Sequence, residues 1–267
     1  MAFTEELLLP SRGIIYRIQN FNGVVNVKPF TTKLYKDLLA SNASNVGLQQ
    51  FIEGCLVDCP VKAKDMNQED LLAILIKTRI MTLGNNLKMQ NTCPHCGSSS
   101  EAEFDLDHVE INYLHADNYP VQLTLPSGQE IRIRIRTGAD SRKAEQAAER
   151  RAKIFNTSAD LYMPIYNTVA LLDVDGKDIV EKAEWYENLN PIDSTYIDAA
   201  ISEINDAFGV KMSCSVDCEK CDKEYFTYIN IGNDFFRPHR NIVGSVTGKT
   251  GYLSGADKKS DTTKQES

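Results

Sequence analysis

Two short stretches decide the fold of this chain, Cys93-Pro94-His95-Cys96-Gly97 and Cys218-Glu219-Lys220-Cys221. Each contains a C-x₂-C pair, and the first also has the proline and glycine that favour a tight metal-binding turn. Together the pairs supply four thiolates, which is the complete tetrahedral ligand set of a structural zinc ion. Four thiolates leave no open position for water, so the pattern predicts structural Zn²⁺ and no hydrolytic chemistry. The predicted ligands are Cys93, Cys96, Cys218 and Cys221.

The two pairs lie far apart in the chain. Residues 97–217, a stretch of 121 residues, separate them, whereas an ordinary zinc ribbon has roughly 15 to 20 residues there. If both pairs bind one ion, a whole subdomain is inserted between the two halves of a ribbon. Strand-like sequence follows each pair, at residues 101–104 and 224–227, as in a ribbon where each metal-binding turn leads into a strand. We therefore predict an α+β protein with an interrupted zinc ribbon.

Other cysteines and one histidine bear on the ligand set. Cys214 lies four residues before Cys218 and could replace one ligand or remain a free thiol. His95 stands between two predicted ligands and could bind in principle, although this position of the turn more often faces solvent. Cys55 and Cys59 end a helical stretch and are expected to pack as small apolar residues.

Composition and charge limit the classes of function. With 42% hydrophobic residues the chain can bury a sizeable core. Its 37 acidic and 29 basic residues give a formal net charge of −8, which argues against a general nucleic-acid binder and favours a protein partner. No apolar run approaches the roughly 20 residues that cross a bilayer, and the acidic start does not resemble a secretory signal. Seven cysteines, four in metal-type pairs, suit a reducing compartment.

Helices are predicted to dominate residues 1–90, after a β-hairpin. The β-branched and aromatic residues of 14–18 and 24–30 flank an Asn-Gly turn and favour paired strands. Helical spacing of apolar residues then predicts three helices, the first capped by Thr31 or Thr32 and the last ended by Gly84. The three helices are predicted over residues 34–39, 48–56 and 68–83.

Strands and helices alternate in the predicted insert. A hairpin is expected around Pro126-Ser127-Gly128-Gln129, and Asp193 or Ser194 is expected to cap a helix ended by Gly209. The other predicted strands cover 102–106, 109–113 and 225–231, and the other predicted helices cover 141–155 and 161–172.

These elements predict four parts of the chain. The helical N-terminal part covers 1–90, and the discontinuous zinc ribbon covers 91–110 and 211–240. The inserted α+β subdomain covers 111–210. A polar tail rich in Gly, Ser, Thr and Lys, residues 241–267, is expected to be flexible.

One strand carries a regular pattern of charge. Residues 131–136 alternate isoleucine with arginine, which places three guanidinium groups on one strand face. Together with nearby basic residues they could form a patch for nucleic acid or an acidic protein, although such a strand more often faces water or pairs with surplus acidic groups. The nearby basic residues are Arg142, Lys143, Arg150 and Arg151.

The four histidines are scattered and suggest no catalytic triad, so no catalytic residue is predicted.

Three short motifs mark the start, middle and end of the chain. They are Leu8-Leu9-Pro10-Ser11-Arg12-Gly13-Ile14-Ile15-Tyr16, the Cys-Pro-x-Cys-Gly turn after a Leu/Ile-rich helix, and Ile229-Asn230-Ile231 with Asp234-Phe235-Phe236-Arg237-Pro238. In this combination the chain resembles the baseplate hub proteins of T-even-type contractile-tailed phages, from about residue 7 to 238. The insert and the polar tail are longer than the resemblance leads one to expect.

The resemblance implies a non-enzymatic role in building the tail baseplate, as a hub component or as a factor that assists hub assembly. Other tail and hub proteins would be the partners, in the host cytoplasm during assembly and in the virion baseplate. The alternative is a zinc-ribbon nucleic-acid-binding accessory protein of viral transcription or packaging. The resemblance also implies a set of residues that contact partners, although the same residues could equally form a strand folded onto the protein's own core. These residues are Leu8, Leu9, Pro10, Arg12 and Tyr16.

Overall fold

The computed structural model describes residues 3–42, 44–155, 165–166, 168, 171–174 and 177–236. Within them, helices mix with small antiparallel sheets, so the predicted α+β class is confirmed. The tail predicted to be flexible, 241–267, lies outside the described residues, as do Arg237 and Pro238. Most of the helix predicted at 161–172 also lies outside them.

The chain opens with a small antiparallel sheet of order β1-β2-β3. Its strands are β1 (Glu5–Leu8), β2 (Val24–Val27) and β3 (Leu56–Val57). The hairpin predicted between residues 14–18 and 24–30 is wrong, because β2 pairs with β1 and Ile14–Tyr16 forms a 3-10 helix.

Backbone conformation explains this difference. Arg12 and Gly13 have φ values of 51° and 73°, so the chain turns sharply after Pro10 and cannot run straight into a strand. The turn lies against Gly23, where an added Cβ would be 2.3 Å from the carbonyl carbon of Arg12. The glycine at position 23 is therefore needed for the close approach of the two segments.

Three helices follow, near the predicted positions. Helix α1 (Thr32–Ala40) is capped by Thr31, and α2 (Asn45–Cys55) is capped by Ser44. Helix α3 (Gln68–Leu83) has the predicted bounds, with Asn67 capping its start and Gly84 at its end. Residues on several faces of α3 are buried, because the helix runs through the main core.

The main core joins the start of the chain to the end of its described part. Phe236 packs against Phe30 and Phe51, with ring centroids 6.2 and 5.3 Å apart. Arg79 of α3 is fully buried, and its Nε donates to the carbonyl oxygen of Phe235 over 3.2 Å. The two phenylalanines of the closing motif are therefore core residues.

A long hairpin leaves α3 and leads to the insert. Its strands, β4 (Asn86–Thr92) and β5 (Ser99–Asp105), pair over their whole length. The first C-x₂-C pair lies at its tip. After a short 3-10 helix the chain reaches β6 (Ile111–Asn112), which is the first strand of the region predicted as the insert.

The insert has its own sheet and helices. The predicted hairpin is present as β7 (Val121–Thr124) and β8 (Glu130–Ile133), and β8 also pairs with β9 (Leu171–Asp173). The described end of the helix predicted at 161–172 is therefore wrong, since residues 171 and 172 belong to a strand. Among its described residues, the insert contains the helices α4 (Gly138–Phe155), α5 (Ile179–Glu187) and α6 (Pro191–Ala207), and residues 165, 166 and 168 are also helical.

Helix α6 begins earlier than predicted. Asn190 is its capping residue, accepting from the backbone N–H groups of Ile192 and Asp193, and Pro191 occupies the first helical position. The side chain of Asp193 is buried and accepts instead from the backbone N–H of Ser127 in the β7–β8 turn. The carboxylate predicted to cap the helix thus holds the hairpin against it.

The insert enters and leaves at one place. Its last strand, β10 (Gly209–Val210), pairs antiparallel with β6, so that Gly209 lies opposite Asn112. From there the chain enters a second hairpin, formed by β11 (Ser213–Asp217) and β12 (Glu224–Tyr228). The second C-x₂-C pair lies at the tip of this hairpin.

The insert is also attached to the N-terminal part of the chain. Leu114 N donates to the carbonyl of Pro10, and Val210 N donates to Glu69 Oε2, both over 2.9 Å. The two regions also share a small core. It consists of Ile15, Leu114, Ile135 and Phe208. The predicted domain boundaries remain predictions.

Candidate metal centre

The two hairpin tips bring the four predicted ligand cysteines together. The Sγ atoms of Cys93, Cys96, Cys218 and Cys221 all lie within 4.8 Å of one another. The Cys93–Cys221 and Cys96–Cys218 Sγ distances are 3.9 and 3.6 Å. A tetrahedral ion with metal–sulfur bonds of about 2.3 Å has sulfurs about 3.8 Å apart. The cluster is therefore compatible with one structural metal ion bound by four thiolates.

The two tips have nearly the same backbone conformation. In the first, Gly97 N donates to the carbonyl of Cys93 over 2.9 Å, and in the second Asp222 N donates to the carbonyl of Cys218 over 2.8 Å. Gly97 and Asp222 both have positive φ, 69° and 54°. A left-handed residue after the second cysteine thus closes each turn and directs both thiols to the same side.

We expect Gly97→Ala to lower the free energy of unfolding of the metal-loaded protein by about 1 kcal/mol, because a side chain disfavours positive φ. A Cβ at this position meets no atom within 4 Å, so backbone strain is the main cost. Gly232→Ala is the matched control, since its Cβ also meets open space and its φ is not positive. Chemical denaturation of both variants measures the effect, and equal stability of the two would contradict it.

The thiols of the cluster differ in their pKa values. The Ser98 hydroxyl and the backbone N–H groups of Lys220 and Cys221 lower the pKa of Cys218 to about 6. The backbone N–H of Lys223 favours the thiolate of Cys221, but burial and the neighbouring thiols raise its pKa to about 12. Sulfurs this close cannot all carry charge at neutral pH without a cation between them. The donor set therefore suits a metal better than four free thiols.

The cluster is held between the hairpins by further contacts. Cys93 and Cys218 are 1% and 2% exposed and pack with the buried ring of Tyr225. Thr227 Oγ1 of β12 donates to Asn91 Oδ1 of β4 over 2.9 Å. These contacts hold the two tips against each other in addition to the thiols.

The other candidate ligands lie elsewhere. Cys214 is on β11, where its Sγ donates to the carbonyl of Thr227 over 3.7 Å and packs against the main core. His95 is exposed, with Nε2 3.3 Å from the carbonyl of Glu224. Cys55 is buried in the main core, which raises the pKa of its thiol to about 12, and Cys59 packs at the edge of that core.

The predicted partner contacts differ in how far solvent reaches them. Leu9 is 0% exposed and Pro10 is buried, whereas Arg12 is exposed and Leu8 is half-buried. Tyr16 is also half-buried, with its hydroxyl directed inward. Arg12 and Leu8 are thus the side chains of this motif that a partner can reach most directly.

Asp70 organises this motif, although no pattern in the sequence points to it. Its carboxylate is fully buried and accepts from the backbone N–H of Ser11 over 2.9 Å, and from the hydroxyls of Ser11 and Tyr16 over 2.5 Å each. Burial raises the pKa of Asp70, against the effect of these hydrogen bonds. An acidic residue in the first turn of a helix is common, so its position gave no signal of this role.

The alternating residues 131–136 do not form one strand, because β8 ends at Ile133. The three isoleucines are buried and Arg132 is exposed, whereas the other two arginines contact groups within the protein. Arg134 forms a bidentate ion pair with Asp140, with N–O distances of 2.5 and 2.6 Å. Arg136 lies over the ring of Tyr166, 4.2 Å from its centroid, and Arg142 pairs with Asp65. These guanidinium groups are committed to contacts within the protein, which weakens the case for a nucleic-acid patch.

We expect Asp140→Asn to cost about 2 kcal/mol of stability at pH 7, because it removes the negative charge that Asp140 places beside the partly buried Arg134. Burial alone would raise the pKa of Asp140, but the hydrogen bonds and charge of Arg134 lower it below 3.8. The stabilisation is therefore present above pH 3.8 and lost as pH falls through the lower folded-state value.

Denaturation of both proteins between pH 7 and pH 3 tests this, with the exposed Asp37→Asn as control. A gap between wild type and Asp140→Asn that stays constant over this range would show that the ion pair is not its cause.

The fold and the cluster define an α+β protein whose distant segments meet at a four-cysteine site. The family profile described as T4 bacteriophage base plate protein matches residues 7–237. The chain therefore belongs to this family of phage baseplate structural proteins, which are components of the virion tail, and the recognised resemblance is confirmed. No curated protein matches the chain, and no solved structure matches it. Among the described residues, no helix has the length and apolar character required to cross a membrane.

Proposed function

We propose that this protein is a hub component of the baseplate, or a factor that assembles the hub, and that it acts by contact with other tail proteins. The family match over residues 7–237 is the observation that carries the proposal. Membership in a family of structural baseplate proteins also supports a non-enzymatic role. Assembly would take place in the host cytoplasm.

The four-cysteine site would bind structural Zn²⁺ as an interrupted zinc ribbon. The sulfur distances and the matching backbone turns support this part of the proposal. When bound, the ion would neutralise the thiolates and fasten the hairpin that follows α3 to the hairpin that follows the insert. Segments from both sides of the insert would then form one rigid body for partners to bind.

The opening motif, residues 8–16, would supply part of the surface that contacts partners. Leu8 and Arg12 would contact the partner, while the more buried Leu9, Pro10 and Tyr16 would support the conformation of the turn. The buried carboxylate of Asp70 supports this arrangement, because it holds the backbone of the turn in one conformation.

Deletion of the gene from its phage tests the proposal. Infected cells should then accumulate tail intermediates that sediment separately from complete baseplates, and expression of the chain in trans should restore normal tails. The presence of the chain in purified wild-type baseplates indicates a hub component, and its absence from them indicates an assembly factor. Normal baseplates without the gene would overturn the proposal.

The nucleic-acid alternative makes a different prediction. A binder of DNA or RNA should lose affinity steeply as salt is raised, because each neutralised phosphate releases counterions. Contacts with baseplate proteins that are retained at high salt, together with weak DNA binding at low salt, would favour the baseplate role. Tight and strongly salt-dependent DNA binding would favour the alternative.

A further inference from the structure

One side chain outside the four cysteines reaches both halves of the cluster. The hydroxyl of Ser98 lies 2.9 Å from Cys96 Sγ and 3.4 Å from Cys218 Sγ. Cys96 belongs to the first hairpin and Cys218 to the second, and their sulfurs are 3.6 Å apart. The hydroxyl therefore lies along the edge of the cluster where the two hairpin tips meet.

The backbone of Ser98 is fixed by the turn itself. Its carbonyl accepts from Cys93 N over 2.9 Å, just as the carbonyl of Lys223 accepts from Cys218 N over 3.0 Å in the second turn. The two residues thus occupy equivalent positions, but Lys223 is exposed and has no hydroxyl. Only one of the two equivalent positions therefore places an O–H donor beside the sulfurs.

We infer that Ser98 is a positioning residue of the metal centre, which donates a hydrogen bond to the thiolates of Cys96 and Cys218 and sets how firmly the ion is retained. The inference rests on the proposed metal site. A hydroxyl has one hydrogen, so at any moment it donates to one of the two sulfurs, and both lie within reach. Hydrogen bonds to ligand atoms orient them, and their loss typically costs about 10–100-fold in metal affinity.

The test uses the full chain loaded with Zn²⁺, as wild type, Ser98→Ala, Ser98→Thr and Ser99→Ala. Threonine keeps the hydroxyl. Ser99 is the matched control, because it is exposed on the adjacent position and its hydroxyl contacts Thr92 Oγ1 instead of a sulfur. Circular dichroism first establishes that all four proteins are folded. The rate of zinc loss to an excess of chelator is then measured.

We expect zinc loss to be about ten times faster from Ser98→Ala, and close to the wild-type rate in Ser98→Thr and Ser99→Ala. Substitution with Co²⁺ gives a second readout, which a merely structural role would not change. The thiolate-to-cobalt charge-transfer band should move to longer wavelength in Ser98→Ala, because a thiolate without the hydrogen bond gives up its electron density more easily.

Wild-type rates and an unchanged cobalt band in Ser98→Ala would overturn the inference while leaving the metal site intact. Equal acceleration in Ser98→Ala and Ser99→Ala would also overturn it, since the effect would then come from the hairpin and not from the hydroxyl. A wild-type chain that binds neither Zn²⁺ nor Co²⁺ would overturn the metal site itself, and the role of Ser98 with it.

Discussion

Cys218→Ser should abolish stoichiometric zinc binding and lower the free energy of unfolding by at least about 4 kcal/mol at a zinc concentration 1,000 times the wild-type Kd. The reason is that Cys218 is buried at the junction of the two hairpins and lies close to Cys96. Losing it removes one of four ligands and leaves the remaining thiolates without a shared cation. Metal analysis of the purified protein, together with thermal unfolding, measures both effects.

Cys214→Ser is the matched control for this experiment. It makes the same chemical change on the same strand–turn segment, but the thiol it removes contacts a backbone carbonyl outside the cluster. It should retain about one zinc per chain. Substitutions of Cys93, Cys96 and Cys221 should behave like Cys218→Ser. Wild-type protein that carries no zinc and keeps its Tm in strong chelator would contradict the structural role of the ion.

The second large effect is expected at the buried carboxylate of Asp70, which accepts hydrogen bonds from the opening motif. Asp70→Asn should cost about 3 kcal/mol of stability, because the amide nitrogen brings hydrogens to a site where every neighbour is already a donor. The Ser11 hydroxyl already accepts from Gly13 N, and the Tyr16 hydroxyl already accepts from Asn67 N. Neither can readily reverse its role.

Thermal denaturation measures this effect, and for a protein of this size the shift in Tm should be roughly 6 to 12 °C. Asp107→Asn, at an exposed position, is the control and should leave the Tm nearly unchanged. The turn at residues 10–16 should also become accessible to proteases, since it loses its anchor on α3. An Asp70→Asn protein with the wild-type Tm would show that the hydrogen bonds accepted by Asp70 contribute little to the stability of the fold.

Local signals predicted much of this structure correctly. The bounds of α3 followed from its apolar pattern together with residues suited to its two ends, and the β7–β8 hairpin followed from its turn sequence. The four-cysteine cluster was also predictable, because each pair is a local motif and tetrahedral coordination needs four ligands. The residues that decide the helix and the hairpin lie close together in sequence, and the cysteines are linked by the tetrahedral geometry of a single metal ion.

The errors arose where distant residues decide local structure. The isoleucines at positions 14 and 15 favour a strand, but the left-handed turn before them is fixed by Gly23 and by Asp70, which is 59 residues from Ser11. The contact of buried Arg79 with the carbonyl of Phe235 spans 156 residues. Neither interaction leaves a periodic pattern in the sequence, so neither could be inferred from it.

The pairing of β6 with β10 bears on how this protein can change over evolution. Asn112 and Gly209 are neighbours across a two-stranded ladder, so the chain leaves and returns at adjacent points however many residues lie between them. Loops or small domains gained or lost by recombination within that span need not alter the spacing of the thiols. Parts of the insert that do not contact the N-terminal part could therefore vary in length while the four thiols stay in register.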